Sequence, residues 1–187
     1  MARELTVDMR KKLIAKYPYL MPRNAFSGKP VANFDYSFIV GEYSLPEGWM
    51  ELFLQCCEDI YKPLKKIDYV DKFYFTQTKE KYGRMELYSY GTTNEIQTIL
   101  NKYRFLSEQV CCICGIPANA VTWGYVAPFC REHLLGQVDS IEDAEIVEIK
   151  TSYMQDTFGL DGHKQELVDC SDEWNRYLER IGYKNEA

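Results

Sequence analysis

The sequence predicts an α+β fold in which a small antiparallel sheet is covered by helices. Three observations carry this reading. Apolar residues recur at three- and four-residue spacing in four stretches, each bounded by a cap or a breaker. Two other stretches, 71–90 and 145–153, alternate apolar and polar residues as half-buried strands do. Hydrophobic residues make up 46% of the 187 and charged residues 27%, a globular balance with enough apolar material for a core. There is no internal repeat and no low-complexity segment.

The first helix is expected over 6–17, with Met9, Leu13 and Tyr17 on one stripe. Pro18 stops it, because proline lacks the N–H and crowds the preceding turn. Residues 18–35 hold three Pro, one Gly and two Asn and read as an irregular covering loop, followed by a short extended piece at 37–40. Ser44, Pro46 and Glu47 mark the next helix start, with Ser44 as N-cap, Pro46 in the first turn and Glu47 as capping partner. Trp49, Leu52, Phe53, Cys56 and Ile60 follow at helical spacing, and Pro63 lies just past the expected end. Cys56 is therefore a small core residue, with Cys57 at the edge of the core.

Residues 71–90 read as a β-hairpin. Phe73 and Phe75 alternate with Tyr74 and Thr76, and Met85 and Leu87 alternate with Glu86 and Tyr88. Residues 79–83 form the turn, Gly83 supplying the positive φ. A third helix begins at Thr92 with Glu95 as capping partner, and its stripe of Ile96, Ile99, Leu100, Tyr103, Leu106 and Val110 runs straight into Cys111. Further on, Val147, Ile149, Thr151 and Tyr153 share one face of a strand, and 157–163 reads as a turn. The last helix opens at Ser171, with Asp172 and Glu173 against the positive end of its dipole, and Gly182 ends it.

The most specific signal is CCICGIPANAVTWGYVAPFCREH, residues 111–133. Cys111 and Cys114 form a C-x-x-C pair and Cys130 and His133 a C-x-x-H pair, so two short turns each aim two ligands at one ion. Gly115 lets the backbone turn tightly enough to point amides at the sulfurs. Residues 121–126 have β character around Gly124, and the segment from Pro128 looks like a helix start carrying Cys130 and His133. A structural Zn²⁺ is the expectation. Four protein ligands close the shell, whereas a catalytic zinc keeps an open position beside a general base. Cys112 could replace Cys111 only through a C-x-C bite, which suits one ion less well, so it reads as a bystander. The whole chain, 1–187, is thus expected to be a single α+β domain containing a zinc module at 111–135 and an acidic segment at 136–187.

Charge divides unevenly along the chain. Residues 1–133 carry 17 Lys and Arg against 15 Asp and Glu, whereas 134–187 carry 5 against 13, within a net charge of −6. The acidic end disfavours phosphate backbones and favours a basic partner. No apolar run approaches the length that spans a bilayer, and the first residues lack the apolar core of a signal peptide. Seven cysteines, three of them better used as ligands beside His133, point to a reducing cytoplasm and not to a disulfide framework.

Catalytic constellations are sparse. His133 is committed to the metal, and His163 stands alone in an expected turn. One spare histidine leaves little room for a ββα-metal nuclease, and the order of Pro128, Cys130 and His133 is wrong for a zinc deaminase. Phosphate loops and the G-x-S-x-G elbow are absent from the sequence, and Cys170 has no histidine near it in sequence. A non-enzymatic chain is expected. The alternative to a protein binder is a nucleic-acid-binding zinc module. Lys62, Lys65, Lys66, Lys72, Lys79, Lys81 and Arg84 lie among Tyr61, Tyr69, Phe73, Tyr74, Tyr82 and Tyr88, a mixture that could stack bases and meet phosphates. Asp68, Asp71, Glu80 and Glu86 dilute it.

Together, KEKYGRMELYSYG at 79–91, the helix to Val110, Cys111-x-x-Cys114-Gly115 and Cys130-x-x-His133 resemble a pattern of small phage and bacterial zinc proteins with a KEKFG-like hairpin. Tyr82 stands for the Phe of that pattern, and 85–88 depart from its Leu-Arg-Phe-Tyr. The resemblance covers about 44–135, and the order knuckle, hairpin, ligand-bearing helix is similar to the treble-clef arrangement of zinc modules. A weaker resemblance is to zinc-containing anti-CRISPR proteins of prophages. It implies a phage-encoded inhibitor in the host cytoplasm whose partner is a CRISPR effector nuclease. It supplies no motif for inhibitory residues.

Overall fold

The computed structural model describes residues 5–137, 144–159 and 162–184. They form five α-helices and seven short strands, the strands arranged as two separate antiparallel hairpins and one three-stranded antiparallel sheet. No helix among them is long and apolar enough to cross a membrane.

Helix α1 spans Val7–Lys16, and the Thr6 hydroxyl accepts from the Met9 amide to cap it. Pro18 ends it as expected and opens a 3₁₀ turn, Pro18–Leu20, that buries Tyr19 and Leu20 completely. The Tyr19 hydroxyl donates to the Cys57 carbonyl, 2.7 Å away, and so ties this turn to helix α2.

Helix α2 starts later and ends later than the sequence suggests. Ser44 is not its cap, because its hydroxyl shares a hydrogen bond with Thr78 on the first hairpin. A 3₁₀ turn, Glu47–Trp49, leads into α2, Met50–Lys66. Pro63 sits inside its last turn, where the missing N–H forfeits one bond while Pro63 and Leu64 remain buried in the core. Cys56 and Cys57 are both fully buried, so Cys57 lies deeper than an edge position.

Strands β1, Tyr74–Lys81, and β2, Arg84–Tyr90, form the expected hairpin, but its turn is only two residues long. Tyr82 and Gly83 both have positive φ, the geometry of a type I′ turn that follows the right-handed twist of the strands. Phe73 precedes the hairpin and packs with Phe75 and Tyr19, while Met85 is fully buried. Glu86 is buried as well, because Arg84 and Arg104 neutralise it. Helix α3, Asn94–Ser107, is capped by Thr93 and not by Thr92, whose hydroxyl is taken up by Ser89.

Strands β3, Ala120–Thr122, β4, Pro128–Phe129, and β5, Ala144–Ile146, make the three-stranded sheet in the order β4-β3-β5. Between β4 and β5 comes helix α4, Arg131–Leu134. The expected strand over 145–153 is divided, since 147–151 is irregular and β6, Ser152–Gly159, begins a second hairpin with β7, Gly162–Asp169. Most of the turn expected at 157–163 is therefore strand. Helix α5, Ser171–Ile181, begins and ends as predicted, Gly182 being left-handed, with the Asp169 carboxylate accepting from the Ser171 amide.

The main core joins α2, α3, α5, the first hairpin and the Pro18–Leu20 turn. Asp59 of α2 sits in it, accepting from Tyr103 of α3 at 2.5 Å and from both Arg176 guanidinium nitrogens of α5. A second, much smaller cluster of Ala120, Ala127, Phe129 and Leu134 lies under the three-stranded sheet.

Candidate metal centre

Four side chains from two separated pairs converge. The ligand atoms of Cys111, Cys114, Cys130 and His133 all lie within 4.8 Å of one another, and none of the cysteines is in a disulfide. Cys111 follows the end of α3, Cys114 closes the knuckle, Cys130 precedes α4 and His133 lies in α4 one turn on. The structure thus brings together all four residues that the spacing selects.

The spacing of the atoms suits one tetrahedral ion. With bonds of about 2.3 Å to sulfur and 2.0 Å to nitrogen, a tetrahedron has edges of about 3.8 Å between sulfurs and 3.5 Å between sulfur and nitrogen. Cys114 Sγ and Cys130 Sγ are 3.8 Å apart, and Cys111 Sγ and His133 Nδ1 are 3.5 Å apart. The Cys130 Sγ to His133 Nδ1 edge is tighter, at 3.2 Å. These four residues can hold a metal ion through three thiolates and one imidazole nitrogen.

The backbone is folded to accept negative sulfur. Gly115 has a φ of 82° and its amide donates to the Cys111 carbonyl at 3.0 Å, which closes the knuckle. Burial works against the Cys111 thiolate, yet the backbone amides of Cys130, Cys114 and Ile113 outweigh it and bring this thiol down to about 7. Burial pushes Cys114 up to about 12 despite the Ile116 amide, and it raises Cys130 despite the His133 amide. Such a set holds its full charge best when a cation sits among the sulfurs.

The second ligand pair is positioned by β-structure. Asn119 donates its amide to the Phe129 carbonyl and accepts from the Arg131 amide through its side chain, at 2.8 and 2.9 Å. Cys112 turns away from the cluster. Burial raises its thiol to about 12, and its amide donates to the Pro128 carbonyl, tying the two ligand-bearing segments together. Cys112 is thus outside the group of four.

The knuckle is bolted to the main core by contacts that the sequence does not advertise. The Gly48 amide donates to the Cys112 carbonyl at 3.0 Å, and Trp49 Nε1 donates to the Val110 carbonyl at 2.8 Å. From the other side, the Tyr177 hydroxyl of α5 donates to the Gly115 carbonyl at 2.5 Å. A Cβ on Gly48 would stand 2.3 Å from the Cys111 carbonyl oxygen, and one on Gly115 would stand 2.7 Å from the Gly48 carbonyl oxygen. Two backbones meet where only glycine fits. Gly48 carries no motif, so a single sequence offers no signal for it.

The other candidate residues lie elsewhere. His163 is in β7, its Nε2 2.8 Å from Asp156 Oδ1, and Cys170 is buried at the start of α5. Among the described residues, the Cys111–Cys114–Cys130–His133 group is the one cluster of three or more such side chains able to hold an ion. The basic-aromatic stretch is divided. Lys62, Lys65 and Lys66 close α2, Phe73 is in the core, and Lys79, Lys81, Tyr74 and Tyr88 lie on the first hairpin.

No protein-family model, no curated protein and no solved structure matches the chain, so its function must be read from this centre and the surfaces around it.

Proposed function

We propose that this chain is a non-enzymatic binding protein whose Cys111, Cys114, Cys130 and His133 hold a structural Zn²⁺ in a treble-clef-like module. Three thiolates and one imidazole form a donor set suited to this ion, and tetrahedral edges near 3.8 and 3.5 Å suit its bond lengths. With four protein ligands the shell is closed to water, so the ion would organise the fold and not activate a nucleophile. Held there, it would fix 111–135 against Gly48, Trp49 and Tyr177.

The working surface in this reading is the second hairpin, and the observation that carries it is an exposed apolar pair in acidic surroundings. Met154 and Leu167 face each other across β6 and β7, 54% and 69% exposed. Asp156 and Asp169 occupy the same face, two residues away on either side. A ribbon of this kind suits a basic protein surface with an apolar recess. The resemblance to prophage anti-CRISPR proteins gives the partner its concrete form, an RNA-guided nuclease in the host cytoplasm whose basic channel the acidic hairpin would occupy.

The test is capture of such nucleases by the tagged protein, followed by a target-cleavage assay. Inhibition by the wild type that disappears in the double variant Met154→Asp, Leu167→Asp is the expected result. Normal cleavage at excess protein removes the nuclease as partner. Elemental analysis should give about one zinc per chain, and its absence would remove the metal reading.

A further inference from the structure

A different surface carries a second binding chemistry. The register of the first hairpin pairs Tyr74 with Tyr90, Gln77 with Tyr88, Lys79 with Glu86 and Lys81 with Arg84. Alternation places these pairs on one face, while Phe75 and Met85 point into the core from the other. Tyr88 and Tyr90 are 43% and 62% exposed. At the tip, Gly83 packs against Val126, and the Tyr125 hydroxyl donates to Glu80 at 3.3 Å. These contacts bring the β3–β4 loop to the end of the hairpin on the Met85 side, since Glu80 pairs with Met85, and Tyr82 in the turn stays 71% exposed.

Cations are interleaved with these rings. Arg23 lies 4.4 Å over Tyr74, which stacks on Tyr90, while Lys79 lies 5.3 Å over Tyr88 and Lys81 5.2 Å over Tyr82. None of Arg23, Lys79 and Lys81 is in an ion pair among the described residues. The nearby acids are already engaged: Glu86 is buried with Arg84 and Arg104, and Glu80 accepts from Gly83 and Tyr125. Of the acids expected to dilute this stretch, Glu86 is thus neutralised by two arginines, while Glu80 keeps its charge on the Met85 side of the hairpin. Beside Tyr88, a recess of about 340 Å³ between β2 and α3 presents Gln97 and Asn101, whose amides can hydrogen-bond a base edge, with Arg104 paired to Glu86 on its wall.

We propose that this outer face of β1–β2 binds single-stranded nucleic acid. Exposed rings supply stacking surfaces that a duplex cannot use, since its base faces are already stacked, and the adjacent cations follow the phosphates. The seven residues of β2 extend about 23 Å, room for a short site at the small end of the range for stacking platforms. The binding is tolerant of sequence, because every base has a face to stack.

Fluorescence anisotropy with labelled oligothymidylate and oligouridylate tests this on the full chain. Binding is expected at about 50 mM NaCl. With about three phosphate contacts it should weaken roughly twenty-fold by about 200 mM. Tyr88→Ala with Tyr90→Ala should lower affinity at least tenfold, with circular dichroism and melting unchanged. Lys79→Glu with Lys81→Glu should weaken binding and flatten its salt dependence. Met154→Asp with Leu167→Asp should leave oligonucleotide affinity intact, which separates this site from protein docking at the second hairpin. No binding at low salt overturns the proposal, as does wild-type affinity in the folded Tyr88→Ala, Tyr90→Ala protein. Equal affinity for duplex DNA overturns the assignment to single strands.

Discussion

The two hairpins have nearly the same length and opposite fates. The first sends Phe75 and Met85 into the core, and the Met85 amide donates to the Ser107 hydroxyl of α3 at 2.8 Å. Its tip touches the metal module through Gly83 and Val126. The second touches the body mainly at its base, where Tyr153 packs against Phe105 with ring centroids 4.9 Å apart. The next pair, Met154 and Leu167, points to the opposite face and into solvent. Alternation makes a ribbon in both. The first covers its apolar face along its length, whereas the second docks mainly its base, through Tyr153 and Val168, and that difference separates a load-carrying element from a presented one.

Loss of the ion should sharpen this contrast most. Cys130→Ser, or removal of the metal by a chelator, leaves the remaining thiolates uncompensated, and structural zinc in small modules contributes on the order of 10 kcal/mol. A melting temperature lower by more than about 10 °C is expected. Hydrogen exchange should rise across 111–135 and at the tip of the first hairpin, with the outer part of β6–β7 unchanged. Equal loosening of both hairpins would break the comparison.

Next in size is Met85→Ala, which should cost about 2–5 kcal/mol because it opens a cavity in a fully buried site. Gly48→Ala should cost a similar amount, since its Cβ meets backbone and not a movable side chain. If the four ligands hold zinc as proposed, it should also weaken metal retention in a competition with a chromophoric chelator, whereas Met85→Ala should not.

A smaller, pH-dependent effect concerns how the second hairpin is held from behind. Helix α5 follows β7 and is fastened by Arg176 to Asp59. Burial alone would raise the Asp59 carboxyl, but hydrogen bonds from Arg176, Tyr103 and Lys62 outweigh it and hold it below the ordinary value. With the folded value depressed, the stabilisation is complete above the unfolded carboxyl's value of about 3.9 and is lost as pH falls through the folded one. Acid titration by circular dichroism should show this loss in the wild type and not in Asp59→Asn, which is less stable at neutral pH. Smallest of all is Leu167→Ala, expected within about 0.5 kcal/mol of wild type in urea unfolding.

Where the physics is local, the sequence could be read. Pro18, Gly182 and the two ligand pairs sit where their stop signals and spacings place them. Where a distant partner decides, it could not. Ser44 would serve as a cap if Thr78 did not engage it, and Pro63 would end a helix were Leu64 not drawn into the core. Glu86 alternates like a surface residue, yet Arg104 on α3 makes its burial tolerable. The anchors at Gly48 and Tyr177 belong to the same class, because each acts on a carbonyl of the knuckle.

The contact between Gly48 and the knuckle also bears on the order of events as the chain folds. Trp49 and Val110, joined by one hydrogen bond, are 61 residues apart, and Tyr177 reaches Gly115 across a further 62. Contacts of such separation form late, after the entropy of closing long loops has been met. A chain still emerging from the ribosome would have α2 and α3 but not the full set of ligands, and α5 would be the last element to dock. The four residues that can hold a metal ion all precede α5, so Tyr177 closes over the knuckle only after the ligand set is complete in the chain.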